Sequence, residues 1–533
     1  MWSAILTIIA IFLFSLAFYK WATINNDYFE KRNMKFTKPT FLLGFTADFF
    51  FGRGTLAEFA NKIYREFPNE AANGVFSFRA PQYLLRDPEV IKQIAIKDFD
   101  HFGDRYKFID PKVDKLWGNS LFLMEHDRWH LMRATLSPAF TGSKMRQMFN
   151  LVVEVAESVI QHLLKKVENG EKIDVEMKDF FTRYTNDVIA TCAFGLKVNS
   201  VAEPENEFYR NGKELMNFFG GVNVLKSMII LSMPAVARFF NLRFTGKVGE
   251  TFGGMILDTM KERKKKNIFR PDMINIMMQV REGTLKQETD EKEKEVDGFS
   301  AVEESEIGKV TVTRTWSDDE LVAQCFIFFL AGFETSSGML TFASYELAAN
   351  QDIQQKLYEE IAAMNEQLNG KSIHYDALQK LKYLDQVFSE TMRKWPPLFQ
   401  IDRQCTKEYI FDNGSLKFEV EKGQSVLIPI YGIQHDPKYF PEPEKFDPDR
   451  FSDENKSSIH QATYMPFGIG PRNCIGSRFA LMELKAILYY ILLNFSIEPN
   501  EKSEIPLKPP KLSMIASLLP RTGVHFELRP RKK

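Results

Sequence analysis

Thiols and imidazoles are scarce in this chain of 533 residues, which holds four cysteines, Cys192, Cys325, Cys405 and Cys474, and eight histidines. Thiols this few and this scattered argue against a disulfide framework and for a reducing compartment. There is no C-x-x-C or H-E-x-x-H, so the familiar spacings of a zinc site are missing too. No G-x-G-x-x-G or other phosphate-cradling loop appears, which leaves nicotinamide and flavin without a binding signature; electrons, where the chemistry needs them, come from another protein. A net charge of −1 provides no basic excess, so nucleic acid is not an expected partner. No internal repeat is visible.

Charge is also absent from Ser3 to Tyr19, a stretch enclosed by Trp2 and Trp21. Twenty helical residues rise about 30 Å, close to the hydrocarbon thickness of a bilayer. Trp2, Tyr19 and Trp21 stand where an interfacial aromatic belt belongs, and Lys20, Lys31, Arg32, Lys35 and Lys38 follow on one side, which leaves the body cytosolic. Bulky residues occupy the place where a cleaved signal peptide needs small ones, so the expectation is an uncleaved anchor at 1–21. A basic, proline-containing hinge is expected at 22–44, with Pro39 and Gly44 as its turning points.

What the chain has in quantity is apolar and aromatic: 44% of residues are hydrophobic and 48 are phenylalanine, enough for a large core and an aromatic-lined cavity. Helical periodicity runs through 151–167, 180–194, 317–349, 351–368 and 377–394, while 75–78, 82–85 and 424–430 read as strands, the first two as a hairpin. The body is therefore expected to be mainly α with a small β region. From Glu282 to Glu306 ten acidic residues face three lysines without apolar period, a solvated connector. Leu215–Phe240 is apolar but broken by Gly220-Gly221 and Pro234; it reads either as core packing or as a lid that dips into a membrane.

Cys474 sits in Phe467-Gly468-Ile469-Gly470-Pro471-Arg472-Asn473-Cys474-Ile475-Gly476, directly before a new helical pattern. Sulfur at a helix N-terminus is favoured as the thiolate, and a thiolate is a metal ligand. Gly468 and Gly470 permit dihedrals closed to other residues, Gly476 removes bulk where a flat ring would press, and Arg472 is placed to meet a carboxylate. Axial thiolate is an established mode of haem ligation. Upstream, Ser317-Asp318-Asp319-Glu320 has the form of a capping box that opens a long helix. Inside it Ala331-Gly332 is a weak point that suits close approach of a ligand such as dioxygen, and Glu334-Thr335 sets a carboxylate beside a hydroxyl able to bond a backbone carbonyl. Glu390 and Arg393 share a helix face, as do Trp129 and Arg133; alone, the first is an ordinary ion pair and the second a cation–π pair.

The decapeptide around Cys474 resembles the haem-binding signature of the cytochrome P450 family, and Ala331–Ser336, Glu390-x-x-Arg393, Phe446–Phe451 and Trp129-x-x-x-Arg133 resemble four further motifs of that family. The wording is most similar to insect microsomal detoxification enzymes. The resemblance implies a P450 fold filling 45–533 as one domain, haem b held by Cys474, O2 as co-substrate, and electrons from NADPH through a membrane-anchored NADPH–cytochrome P450 reductase. It implies that Thr335 and Glu334 deliver protons during oxygen activation, next to Ala331 and Gly332. It places Phe467, Gly468 and Gly476 against the haem, and Arg472, Arg133, Trp129, Arg105 and Arg403 at its propionates. Glu390, Arg393 and Arg450 become a buried structural cluster, with Asp449 standing where the family more often has glutamate. Phe108, Phe122, Phe328, Phe333, Phe399, Ile401 and Leu518 are the implied substrate walls, suited to lipophilic molecules such as xenobiotics, plant toxins, insecticides or endogenous lipids and hormones. Arg128, Arg478 and Lys485 are either reductase contacts or ordinary solvated charges. The implied location is the endoplasmic reticulum membrane, with the body in the cytosol. Two other readings stand beside this one: a haem-thiolate isomerase or dehydratase that needs no reductase, and a non-catalytic haem carrier or gas sensor.

Overall fold

The capping box expected at Ser317 is formed in the computed structural model: the Glu320 backbone N–H donates to Ser317 Oγ, and the Ser317 N–H donates to Glu320 Oε2 at 3.0 Å. The structure describes residues 2–45, 56–216, 223–284, 314–508, 511–512 and 518–531. The first helix, α1 (Trp2–Thr23), leaves nearly all its apolar side chains exposed. Its segment Ile5–Thr23 is long and apolar enough to cross a membrane. Within residues 22–44, expected to be a hinge, one side chain is anchored in the body. Phe29 is fully buried against Phe36, Phe76 and Tyr83, and a Cβ at Gly74 would lie 2.4 Å from the Phe29 ring. The aromatic residue, invisible to a charge-and-proline reading, ties this segment to the sheet.

That sheet contains β1 (Ala72–Ser77), β2 (Ala80–Leu85), β4 (Ile401–Gln404) and β7 (Ser425–Ile428) in the order β1-β2-β7-β4, with β2 and β7 parallel. The expected hairpin is present, but Phe78 belongs to the turn rather than the strand, with φ of 52°. A second sheet joins β3 (Asp174–Glu176), β9 (His525–Pro530) and β8 (Phe495–Pro499), and β5 (Tyr409–Asp412) pairs with β6 (Lys417–Val420).

Most of the rest is helical. Around the site stand α2 (His126–Leu136), α3 (Gly142–Glu168), α4 (Met177–Phe194), α5 (Glu207–Met216), α6 (Asn223–Ser232), α7 (Pro234–Phe239), α8 (Asp318–Ala349), α9 (Gln351–Gln367), α10 (Tyr375–Gln379), α11 (Lys382–Lys394) and α12 (Ser477–Asn494). α8 is also long and apolar enough to span a bilayer, yet most of it is buried inside the protein, packed along α4. The single helix expected at 377–394 is two. The Glu360 carboxylate accepts the N–H groups of Tyr383 at 2.8 Å and Leu384 at 3.0 Å, so a tertiary partner caps α11 where local pattern alone would run on.

In the apolar segment 215–240 some side chains join the core and others stay exposed. Leu215, Ile230 and Ala237 are buried, while Met233, Phe239 and Phe240 are exposed, Phe239 at 84%. Gly220 and Gly221, the side chains of Leu225 and Met228, and all but the first three residues of the acidic stretch 282–306 lie outside the described residues.

Candidate active site

The loop that carries Cys474 is built by two left-handed glycines, Gly468 at φ 80° and Gly470 at φ 72°. At Gly470 a Cβ would stand 2.1 Å from the Ala95 carbonyl oxygen, so the loop is pressed against the neighbouring backbone. The Cys474 N–H closes it by donating to the Phe467 carbonyl at 2.9 Å. Three residues after the thiol, α12 begins at Ser477 with Gly476 as its N-cap. Of the four cysteines, Cys192, Cys325 and Cys405 are buried and Cys474 is exposed. Burial raises the first three thiols, Cys325 to about 12, which keeps them protonated and poor ligands. At Gly476 an added Cβ would make only an ordinary 3.8 Å contact with Phe140, so nothing in the polypeptide requires glycine there.

Beside this loop four arginines converge. Arg472 is buried; its Nε donates to the Gly103 carbonyl at 2.7 Å, and its Nη2 donates to the Met124 carbonyl at 2.8 Å and to Asp104 Oδ1 at 3.2 Å. Arg133 donates to both oxygens of Asn473, at 2.8 and 2.9 Å. Arg105 donates to the Arg472 carbonyl at 3.1 Å, and Arg403 to the carbonyls of Asp402 and Ile469, each at 2.7 Å. A bridge between Asp104 and Gln404 in β4 brings Arg105 and Arg403 together. Arg472 Nη1 and Arg403 Nε are buried with no acceptor. Burial lowers the proton affinity of Arg105, Arg403 and Arg472, Arg403 to about 9, and repulsion from Arg105 adds to it for the other two. The cluster thus holds more cation than anion.

Across from the thiol loop runs the middle of α8. Phe328, Ala331, Gly332 and Thr335 retain solvent access in a stretch whose other faces are buried, and the three- and four-residue spacing makes them one stripe. Phe140 links the two walls: its ring lies 5.4 Å from Phe328, and it is the side chain nearest Gly476. The Thr335 hydroxyl donates to the Ala331 carbonyl.

A cytochrome P450 family model matches residues 49–526. The chain belongs to the cytochrome P450 family. It is similar to probable cytochrome P450 9f2 of Drosophila melanogaster, 44% identical over 507 residues that cover 93% of this chain and 94% of that protein. Cytochrome P450 9e2 of Blattella germanica is 42% identical over 513 residues, covering 94% of this chain and 93% of its own length, and cytochrome P450 9b2 of Drosophila melanogaster is 38% identical over 530 residues, covering 98% and 99%. The P450 is a monooxygenase that uses thiolate-ligated haem b, O2 and electrons derived from NADPH.

The residues present suit that group. Two unpaired buried N–H groups in a cation-rich cluster match the two carboxylates of haem b, and one exposed thiol stands at a helix start close enough to Arg105 to support its charge.

Several expected positions are placed differently. Gly332 also packs on α4: a Cβ there would stand 2.7 Å from Ile189 Cδ1. Phe333 points away from the stripe into an aromatic cluster, with Phe329 at 5.3 Å and Tyr209 at 6.3 Å, and does not wall the cleft. Trp129 is buried beneath Arg472. Glu334 is turned to Lys178 of α4, 3.5 Å away. Phe122 lies under Arg105 at 4.5 Å, and Ile401 Cδ1 comes within 3.9 Å of a Cβ built on Gly468. Phe108 packs on Trp117 at 5.9 Å, Phe399 is buried, and the Leu518 carbonyl approaches Gly338 of α8. Lys485 is not a surface charge: it is fully buried and ion-paired to Asp385 at 2.7 Å, because position 485 falls on the inner face of α12. Arg128 stays accessible but is engaged with Glu320 at 2.9 Å, and Arg478 is half-buried.

Glu390 and Arg393 form a two-pronged pair at 2.7 and 3.0 Å, both fully buried; Arg450 Nε stands 3.5 Å from Glu390 Oε1, and the Asp447 N–H donates to the same oxygen at 3.0 Å. Asp449 faces outward to Lys356. Sequence reasoning missed Asp104, Asn473 and Lys178, the partners of Arg472, Arg133 and Glu334. Only folding brings the first and third to their partners, and nothing local marks Asn473.

Proposed function

We propose that this P450 is an anchored microsomal monooxygenase that inserts one oxygen atom of O2 into lipophilic small molecules, with NADPH–cytochrome P450 reductase as electron donor. α1 holds it in the endoplasmic reticulum membrane with the body, residues 45–533, in the cytosol. The observation that carries this reading is the pairing of an exposed thiol at the start of α12 with a cation-rich cluster on one side and the accessible stripe of α8 opposite.

Haem b, when bound, supplies the oxygen-reducing and oxygen-transferring chemistry. Cys474 Sγ would hold its iron. Arg472, Arg133, Arg105 and Arg403 would hold its carboxylates, with Trp129 supporting Arg472, and Phe467, Gly468 and Gly476 would pack against it. The Thr335 hydroxyl, which donates to the Ala331 carbonyl, would pass a proton into the cleft, and Glu334 would resupply it. Glu390, Arg393 and Arg450 keep the scaffold behind the thiol loop rigid. Phe122, Phe328, Phe399, Ile401, Phe108 and Leu518 offer apolar contact, so substrates are weakly polar and the point of attack is set by shape. Xenobiotics, plant toxins, insecticides and endogenous lipids or hormones share that chemistry.

The test is NADPH consumption by the full chain reconstituted with reductase and a panel of lipophilic compounds, with oxygenated product measured. Turnover that requires both reductase and substrate supports the proposal. Rearrangement of hydroperoxides without reductase would replace it with the isomerase or dehydratase reading, and haem and carbon monoxide binding without any turnover with the carrier.

A further inference from the structure

Asp104 is almost completely buried, and its carboxylate stands between a surface imidazole and a buried guanidinium. Its main chain is fixed by β4: the Gln404 N–H donates to the Asp104 carbonyl at 2.8 Å, so only the side chain is left to respond to its neighbours. His126, the first residue of α2, engages both carboxylate oxygens. Its backbone N–H donates to Oδ1 at 2.8 Å, and its Nδ1 lies 2.6 Å from Oδ2. Arg472 Nη2 shares Oδ1 at 3.2 Å, longer than the about 2.7–2.9 Å of a tight charge-assisted hydrogen bond. The imidazole is thus the closer partner of Asp104. Arg472 Nη1 is left buried without an acceptor, although a carboxylate is at hand. The arrangement involves backbone strain: His126 has φ of 48°, in the left-handed region that is uncommon outside glycine. Such strain persists only where surrounding contacts over-determine it. The His126 side chain is 66% exposed, so burial of the ring does not supply the reason. His130, one turn further along α2, is turned instead to Phe99 and Trp129.

We propose that His126 is a positioning residue: by engaging both oxygens of Asp104 it keeps that carboxylate from closing on Arg472, and so reserves Arg472 Nη1 for a haem carboxylate. Without the imidazole, Asp104 Oδ2 loses its partner in a buried setting, where an unmet hydrogen bond is expensive. The nearest open donor is Arg472 Nη1, and the two side chains close into a two-pronged pair. A guanidinium neutralised in this way compensates less of the negative charge at the haem edge, which disfavours the addition of an electron. Of the other charges nearby, Glu125 is paired with Lys107, and Asp402 accepts the Tyr106 N–H, so each already has a partner.

The inference rests on the haem-thiolate reading of the same site. Its test uses the full-length, haem-loaded enzyme with His126→Gly, His126→Asn, Asp104→Asn and the His126→Gly/Asp104→Asn pair. Glycine adopts the left-handed backbone without strain and asparagine tolerates it, so the imidazole is removed while the turn is kept. The readouts are the midpoint reduction potential of the iron and the rate at which haem passes to apomyoglobin. His126→Gly is expected to lower the potential and to speed haem loss severalfold. Asp104→Asn, which has no charged oxygen to close on Arg472, is expected to raise the potential, and the double variant to match Asp104→Asn. His126→Asn is expected to shift both readouts in the same direction as His126→Gly and is read in its stead if that variant loads no haem. An unchanged potential on loss of the imidazole overturns the proposal. A drop of equal size with and without the Asp104 carboxylate also overturns it, because the effect then does not pass through Asp104. Failure of both His126 variants to load haem, unrelieved by Asp104→Asn, overturns it on the same ground. A wild-type sample whose reduced carbon monoxide complex lacks the thiolate-type band overturns the underlying reading instead.

Discussion

The Arg472 guanidinium lies 3.9 Å above the ring of Trp129 while donating to two backbone carbonyls and to Asp104. Planarity is what makes all of these contacts compatible. Arg472→Lys keeps the charge but loses the stack and the fork, so haem content per protein, measured by the pyridine haemochrome, is expected to fall clearly. Full haem content in that variant refutes the role assigned to Arg472.

Cys474→Ser removes the proposed ligand without adding bulk. The reduced carbon monoxide complex should lose its thiolate-type band and turnover should cease. Substitution of Cys192 or Cys405 by alanine should leave the band in place, since these thiols are buried and held protonated.

Thr335→Ala deletes the hydroxyl on the stripe and leaves the ring of arginines and the thiol loop untouched. Haem loading should be unchanged while electrons are diverted from product to hydrogen peroxide. Product formed per NADPH consumed is the measurement, and an unaltered ratio removes Thr335 from proton delivery.

Glu390→Gln leaves Arg393 fully buried with its charge uncompensated. Breaking one side of a buried pair typically costs about 3–5 kcal/mol. The expected outcome is expression largely as protein without haem, with the shortfall read from the ratio of haem to polypeptide. Arg450→Lys should be far milder, because Arg450 stands at 3.5 Å and at the edge of the cluster.

Glu483 of α12 is fully buried; burial pushes its carboxyl up to about 8, and a hydrogen bond from Ser336 opposes that shift. Its ordinary value is 4.5, so between these two the unfolded chain has released a proton that the folded protein keeps. The folded state binds more protons there, and stability declines as pH rises through that window. Glu483→Gln is isosteric and does not titrate. Its melting temperature relative to wild type should therefore rise from about pH 5 to about pH 8, and a constant difference would contradict the assignment.

The thiol loop was legible because its chemistry is local: two glycines with positive φ, an arginine and a cysteine within ten residues dictate a turn into a helix whatever surrounds them. The capping box at Ser317 is local in the same sense and formed as read. Periodicity found the long helices but failed at 380–381, where Glu360, a residue distant in sequence, caps the second of two helices. Composition read 22–44 as a linker because the decisive contact is the insertion of one ring, Phe29, into a sheet whose strands come later in the chain.

By itself, then, the sequence determined the apolar first helix, the presentation of Cys474 and the identity of the polar groups on α8, since each follows from backbone dihedrals, capping and hydropathy over a few residues. Tertiary structure alone decided which way those groups face. Ile189 packed against Gly332, the aromatic cluster claimed Phe333, Lys178 claimed Glu334 and Asp385 claimed Lys485. The orientation of a side chain about a helix axis is fixed by what lies against each face, and those partners come from other parts of the chain.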